Sequence, residues 1–267
     1  MRTVAGFPDP VQPDRRVRRT AAGIVPALVA FGVIFGGWEA FVRIRGINEI
    51  ILPTPSAIAV ELWENPGRWW SDAVVTGGEA VLGLGVAFVV AVSLAIAISH
   101  SVLMDRALSP VVTMIQVTPV IALATPLTIW LGFGLAPKVV MAALITFVPL
   151  VINAATGFRA VEPSAHELFR SVAASRAEVF WKLRVPHSLP YLFSALRVCV
   201  GLALIGALVA EWFGSTEGLG RTMVQARNSL AYTKLWAAVA ALMLMGIAGV
   251  TIVRLVERWV LRWHPNS

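Results

Sequence analysis

Apolar residues fall into six runs, at about 21–42, 74–99, 108–131, 138–158, 191–213 and 235–260, separated by stretches richer in charge, glycine and proline. Each is close to the roughly 20 residues that a helix needs to cross a bilayer core. The pattern predicts six membrane-crossing helices, the last long enough to continue beyond the bilayer as an amphipathic helix. Segment 45–72 is polar enough to leave the membrane. There Pro53-Thr54-Pro55-Ser56 makes a stiff turn, and Ser56 is placed to cap a short surface helix running to about Trp63. Trp69-Trp70 then suits the interfacial belt at the start of the second run. Segment 214–234, with Gly218 and Gly220, predicts another short amphipathic helix.

The remaining interruption is different in kind. Residues 166–190, HELFRSVAASRAEVFWKLRVPHSLP, are too polar to span a bilayer and too amphipathic to be an idle loop. Ser164 can cap a helix here, with Glu167 at its third position completing a capping box. Apolar residues recur at Leu168, Phe169, Val172, Ala173, Val179 and Phe180, while Arg170, Ser171, Ala174 and Arg176 lie on other faces. The small residues Ala173-Ala174-Ser175 keep the middle slim enough to seat in a partner's groove. Pro186 and Pro190 are expected to turn the chain back into the fifth run. A helix lying on lipid headgroups would satisfy the same pattern.

Composition sharpens the class. The chain is 57% hydrophobic and only 14% charged, against about 25% charged residues in a typical soluble domain. An all-α integral membrane protein follows, and a soluble globule is excluded. The net charge of +7 therefore speaks to orientation, with no nucleic-acid role implied. With the N-terminus inside, segments 1–20, 100–107, 159–190 and the C-terminal end carry twice as many Lys/Arg residues as the opposite segments. That bias places both termini and the polar island in the cytoplasm. The tail at 1–20 is expected to be disordered. Arg15-Arg16-Val17-Arg18-Arg19 ahead of the first run resembles a signal n-region, but the run is long and no small-x-small cleavage site follows, so a retained span is expected. A short C-terminal tail, 263–267, closes the chain.

Candidate chemistry is sparse. There is no GxxxxGK[ST] phosphate loop, HExxH, CxxC or GxSxG, and His100, His166, His187 and His264 show no metal-ligand spacing. A single cysteine, Cys199, excludes an internal disulfide and is expected to be a buried thiol. No catalytic residue, bound cofactor or metal is expected. Glu39, Glu79, Arg197 and Glu211 fall within predicted spans, where charge is costly and function is the default reading. Arg197 and Glu211 are too far apart along one helix to pair. Glu79 and Glu211 are candidates for a polar translocation path, with a structural role as the alternative. Pro119 and Pro126 should bend the third span and mark a path helix. Gly83, Gly85, Gly201 and Gly206 are expected to permit close helix packing.

The island resembles the EAA loop of ABC-importer permeases: Glu-Ala-Ala, three residues, Gly, nine residues, then Ile-x-Leu-Pro. Glu167 matches the acidic position, Leu183 and Val185 the aliphatic ones and Pro186 the final proline. Leu168 and Phe169 replace the two alanines, and Ala173 replaces the glycine, which suggests that no positive φ is needed and that the region is helical throughout. Ile51-Leu-Pro-Thr-Pro-Ser56, Trp130-Leu-Gly-Phe-Gly134, Leu-Pro-Tyr-Leu-Phe at 189–193, Arg197 and Gly206-Ala-Leu-Val-Ala-Glu-Trp-Phe213 extend the likeness to residues 20–262. These segments look like permeases for nitrate, sulfonate and taurine, whose relatives are implied to carry thiamine-related pyrimidines or riboflavin. Glu79 stands where arginine would be expected in the sulfonate branch.

The resemblance implies a type I ABC-importer permease in the bacterial inner membrane: six transmembrane helices at 21–262 with a cytoplasmic coupling helix in the loop at 159–190. It implies a homodimer, cytoplasmic ATPase subunits that hold ATP and Mg, and a periplasmic or lipid-anchored binding protein. Glu167, Arg170, Ser171, Ala173, Ala174, Arg176 and Pro186 would form the ATPase-coupling surface. Glu79, Pro119, Pro126 and Glu211 would belong to the path. The cargo would be a small heterocyclic or anionic nutrient. An ion-gradient transporter using Glu79 and Glu211 as proton carriers is the rival, disfavoured by the lack of a detectable internal repeat.

Overall fold

A computed structural model of the chain describes residues 25–262. The expected tails at 1–20 and 263–267, and the start of the first run at 21–24, lie outside the described residues. Every regular element described is helical. The chain divides into a first unit ending at Ile47 and a second beginning at Asn48. The first holds α1 (Val25–Arg45), within which Arg43 pairs with Glu39 one turn back, at 2.5 Å.

The second unit carries α2 (Pro55–Glu64), α3 (Pro66–His100), α4 (Val102–Val117), α5 (Ala124–Leu131), α6 (Leu135–Arg159), α7 (Pro163–Ser171), α8 (Arg176–Val179), α9 (Val185–Trp212), α10 (Leu219–Asn228) and α11 (Tyr232–Val260). Among the described residues, α3, α6, the continuous stretch Arg176–Trp212 and α11 are each long and apolar enough to cross a membrane. The pair formed by α4 and Val120–Leu131 makes a fifth crossing if its two arms are one span. The third predicted run is thus not a kinked helix but two arms at 84°. Proline explains where it breaks. Thr118, just before Pro119, is extended (φ −71°, ψ 127°), as the ring of a following proline demands. Pro126 is the third residue of α5, where the missing N–H has no intrahelical acceptor to lose.

Helix α6 packs between α3 and α9, and small residues set that distance. A Cβ on Gly83 of α3 would fall 2.5 Å from the Ala142 Cβ, and one on Gly206 of α9 would fall 2.6 Å from the Ala142 Cα. Both glycines therefore admit the α6 backbone, the usual device where lipid tails supply no hydrophobic drive between helices. Gly157 also brings α6 close to α9, where a Cβ would fall 3.0 Å from the Tyr191 Cβ and 3.1 Å from the Ser188 Cα. Gly85 and Gly201 have open space around them, so the close-packing expectation holds for Gly83 and Gly206 alone. Cys199 is fully buried in this core, its Sγ 3.6 Å from the Thr146 carbonyl. Helix α11 buries only Ala237, Ala238 and Ala241 and lies at the edge.

The short helices follow local rules that differ in detail from the expected ones. Helix α2 is capped by Thr54, whose hydroxyl accepts from the Ala57 N–H at 3.2 Å. Ser56 instead lies inside the helix. Trp69 is buried, donating to the Glu61 carbonyl at 3.0 Å, while Trp70 stays exposed.

Candidate functional site

The polar island forms a surface arm. Its first helix, α7, begins after Glu162, and no side chain caps it; Ser164 contacts the Glu162 carboxylate at 3.3 Å instead. The expected capping box at Ser164 and Glu167 is absent, because Pro163 at the first helical turn already starts the helix and shifts its N-cap back to Glu162. A complete box occurs eleven residues on. The Ser175 hydroxyl accepts from the Glu178 N–H at 3.2 Å, and the Glu178 carboxylate accepts from the Ser175 N–H at 3.0 Å, starting α8.

Between these helices the chain leaves the α-helix in a turn at Val172–Ala174, where Ala173 adopts φ 51°. The expectation of an unbroken helix is corrected here. The position that carries glycine in the EAA pattern requires the left-handed conformation, and alanine accepts it at a cost. Pro186 and Pro190 do not turn the chain either: Pro186 occupies the first turn of α9 and Pro190 lies within it. A π-helical turn at Phe180–Arg184 joins α8 to α9, with Phe180 packed beside His100 and Phe158.

No residue of α7 is buried. Glu167, Arg170 and Ser171 are exposed, as are Ala173 and Arg176, while Ala174 is half-buried. Leu168 and Val172 are 63% and 69% exposed. The arm thus offers two aliphatic side chains flanked by arginines, held on a short frame that buries almost nothing of its own.

A second polar group lies inside the bundle, at the end bearing α10. Lys138 of α6 donates to Glu79 of α3 at 2.6 Å and to Ser215 at 2.8 Å, and all three are buried. Glu211 of α9 accepts from the Thr76 hydroxyl at 2.6 Å and from the Gly220 N–H at 2.5 Å. Thr76 in turn accepts from the Leu219 N–H at 2.9 Å, and Thr222 donates to Asp72 at 2.7 Å. The network ties residues 215–222 to three long helices. Its glycines are sterically required. A Cβ on Gly220 would lie 2.7 Å from the Leu208 carbonyl and 2.8 Å from Glu211, and Gly218 (φ 99°) presses on the same carboxylate.

Glu79 and Glu211 are therefore brought together in one network, while Pro119 and Pro126 lie on the broken arm. Lys138, at the head of the fourth apolar run, is the partner that spacing could not reveal. Its one signal was a lone cation heading an apolar run. Arg197 and Glu257 form a separate pair between α9 and α11 at 2.6 Å, and Arg159 of α6 pairs with Asp105 of α4 at 3.1 Å. Among the described residues no group of three or more His, Cys, Asp or Glu could hold a metal ion.

A bundle of long apolar helices with an exposed polar arm and a charge network buried inside it defines an integral membrane protein. Residues 83–262 match the family described as binding-protein-dependent transport system inner membrane component, and the chain belongs to that family. It is a permease component of the ABC-importer type. It is 29% identical over 252 residues to the formylaminopyrimidine transport permease of Halalkalibacterium halodurans, covering 94% of this chain and all of that one. It is 32% identical over 231 residues to a riboflavin transport system permease of Chloroflexus aurantiacus, covering 86% of each. Identity to the taurine transport system permease of Escherichia coli is 24% over 239 residues, with 87% of each chain covered. In structure it is similar to a chain of the inward-facing MetNI methionine ABC transporter, with a TM-score of 0.56 and 19% identity over 73% of this chain and 97% of that one. That likeness bears on the fold.

Proposed function

We propose that two copies of this chain form the translocation path of an ATP-driven nutrient importer, with α1 as the sixth span and both termini in the cytoplasm. The two-to-one Lys/Arg bias supports that orientation. The α7–α8 arm is the coupling element: Leu168 and Val172 enter a groove on a separate ATPase subunit, and Glu167, Arg170, Ser171 and Arg176 contact its rim. Ala173 and Ala174 let the arm turn within that groove, and Pro186 starts the helix that carries its motion into the membrane. ATP and Mg reside on the ATPase, since this chain has no phosphate loop. A periplasmic or lipid-anchored binding protein delivers cargo to the end that carries α2 and α10. The cargo is a small nutrient of the kind named for the relatives, such as a formylaminopyrimidine or riboflavin.

The observation that carries this reading is the arm itself, which exposes aliphatic side chains on a family-typical permease. Exposed apolar residues rimmed by charge mark a protein interaction surface. Co-purification with a cognate ABC ATPase subunit tests it. Leu168→Asp and Glu167→Lys should each reduce recovered ATPase at least tenfold while the permease still inserts. Undiminished recovery from both variants, or uptake that persists without the ATPase and collapses with an uncoupler, overturns the reading.

A further inference from the structure

An open cleft of about 500 Å³ lies between α4 and α6, toward the end that carries α7. That volume is within the range of small-molecule sites, about 300–1,000 Å³. Its polar lining stands out on helices that are otherwise apolar: Ser109, Thr113 and Gln116 of α4, and Thr156 of α6, with the Asp105–Arg159 pair alongside. Ser109, Thr113 and Gln116 are spaced four and three residues apart and so share one helix face. All four uncharged residues are exposed. On a helix that crosses a bilayer, polar side chains face protein or a water-filled cavity rather than lipid.

Hydrogen-bond accounting defines what the cleft can recognise. The Ser109 hydroxyl donates to Asp105 at 3.0 Å, Thr113 to the Ser109 carbonyl at 2.9 Å and Thr156 to the Ile152 carbonyl at 2.8 Å. A hydroxyl has one proton and two lone pairs, so each has spent its proton and presents acceptors. The Gln116 amide has no hydrogen bond among the described residues and offers both donors and an acceptor. Arg159, the one cation in the lining, is balanced by Asp105 and also donates to the Ile98 carbonyl at 3.1 Å. A second copy related by twofold symmetry would add the same set and no unbalanced cation.

We infer that this cleft contacts the cargo, and that the cargo is an uncharged small molecule rich in N–H or O–H donors. An oxyanion brings acceptors only. It would meet three hydroxyl oxygens and the Asp105 carboxylate, with only the Gln116 amide and an Arg159 guanidinium already neutralised by Asp105 to donate to it, and would surrender its hydration for no net counter-charge. A donor-bearing neutral molecule satisfies the same oxygens and uses Gln116 in either sense. The inference rests on the permease reading above and narrows its substrate class.

Thiol labelling in the transporter assembled in proteoliposomes tests it. On a Cys199→Ala background, Gln116→Cys, Thr113→Cys and Thr156→Cys are compared with Met114→Cys, which lies on the opposite face of α4. Each is treated with a neutral hydroxyethyl methanethiosulfonate and an anionic sulfonatoethyl one, and rates are normalised to a free thiol. The cleft variants should react with the neutral reagent at least tenfold faster than Met114→Cys does, and at least tenfold faster than with the anionic reagent. Should Gln116→Cys fail to assemble, Thr156→Cys on the facing helix carries the same comparison. Cleft rates equal to that of Met114→Cys, or equal rates for the two reagents, overturn the inference. Labelling needs no ATP, so it stands or falls separately from ATPase recovery.

Discussion

Lys138 Nζ and Glu79 Oε1 meet at 2.6 Å although 59 residues separate them in the chain, and both side chains are almost wholly removed from solvent. Ser215 shares the ammonium, so the pair also anchors the segment leading into α10. A charge pair sealed among apolar helices stabilises the fold chiefly in the sense that neither member tolerates loss of the other.

Replacing Lys138 by Met should accordingly destabilise the protein by about 3–5 kcal/mol, because Glu79 is left as a buried, uncompensated charge. Pairing it with Glu79→Leu should recover most of that loss. Thermal unfolding of the detergent-solubilised permease, read as Tm for both single variants and the double, measures the coupling. Additive losses would show that the pair is not energetically linked.

Packing at Ala142 separates four glycines that look alike in sequence. Gly83→Ala and Gly206→Ala each force a methyl into the α6 backbone or the Ala142 side chain and should cost about 1–3 kcal/mol. Gly85→Ala and Gly201→Ala meet open space and should be neutral or stabilising by up to about 1 kcal/mol. Comparing the four Tm values in one detergent gives the test.

The turn between α7 and α8 depends on Ala173 at φ 51°. Alanine in that conformation costs roughly 1–2 kcal/mol that glycine does not. Ala173→Gly should therefore rigidify the arm and slow hydrogen exchange across Val172–Ala174, whereas Ala173→Val should speed it. Exchange measured by mass spectrometry on peptides spanning 163–184 distinguishes the two directions.

Two serines in the island make contrasting predictions. Ser175→Ala removes the hydroxyl of a complete capping box and should cost the arm about 0.5–2 kcal/mol, seen as faster exchange through α8. Ser164→Ala removes no cap, and exchange in α7 should be unchanged.

The long helices were legible in the chain because hydrocarbon imposes a length and a composition on whatever crosses it, independent of neighbours. The family was equally legible, since Glu167, Pro186 and the flanking segments keep their spacing along the sequence. Caps and turns were read less well. Thr54 displaced Ser56, and Glu162 displaced Ser164, because a proline one residue earlier or later moves the start of a helix. The left-handed turn at Ala173 was marked only by the glycine that the EAA pattern carries there, since alanine itself bears no mark of a left-handed φ.

What the sequence by itself determined is therefore the membrane class, the number of apolar runs and the presence of one polar arm. Tertiary structure alone decided which charges share a site. Glu79 finds Lys138, Glu211 finds Thr76 and Gly220, and Arg197 finds Glu257 across separations that no periodicity encodes. The reason is physical. Hydropathy acts on each segment separately, whereas the partner of a charge inside the bundle is chosen by how separate helices pack against one another.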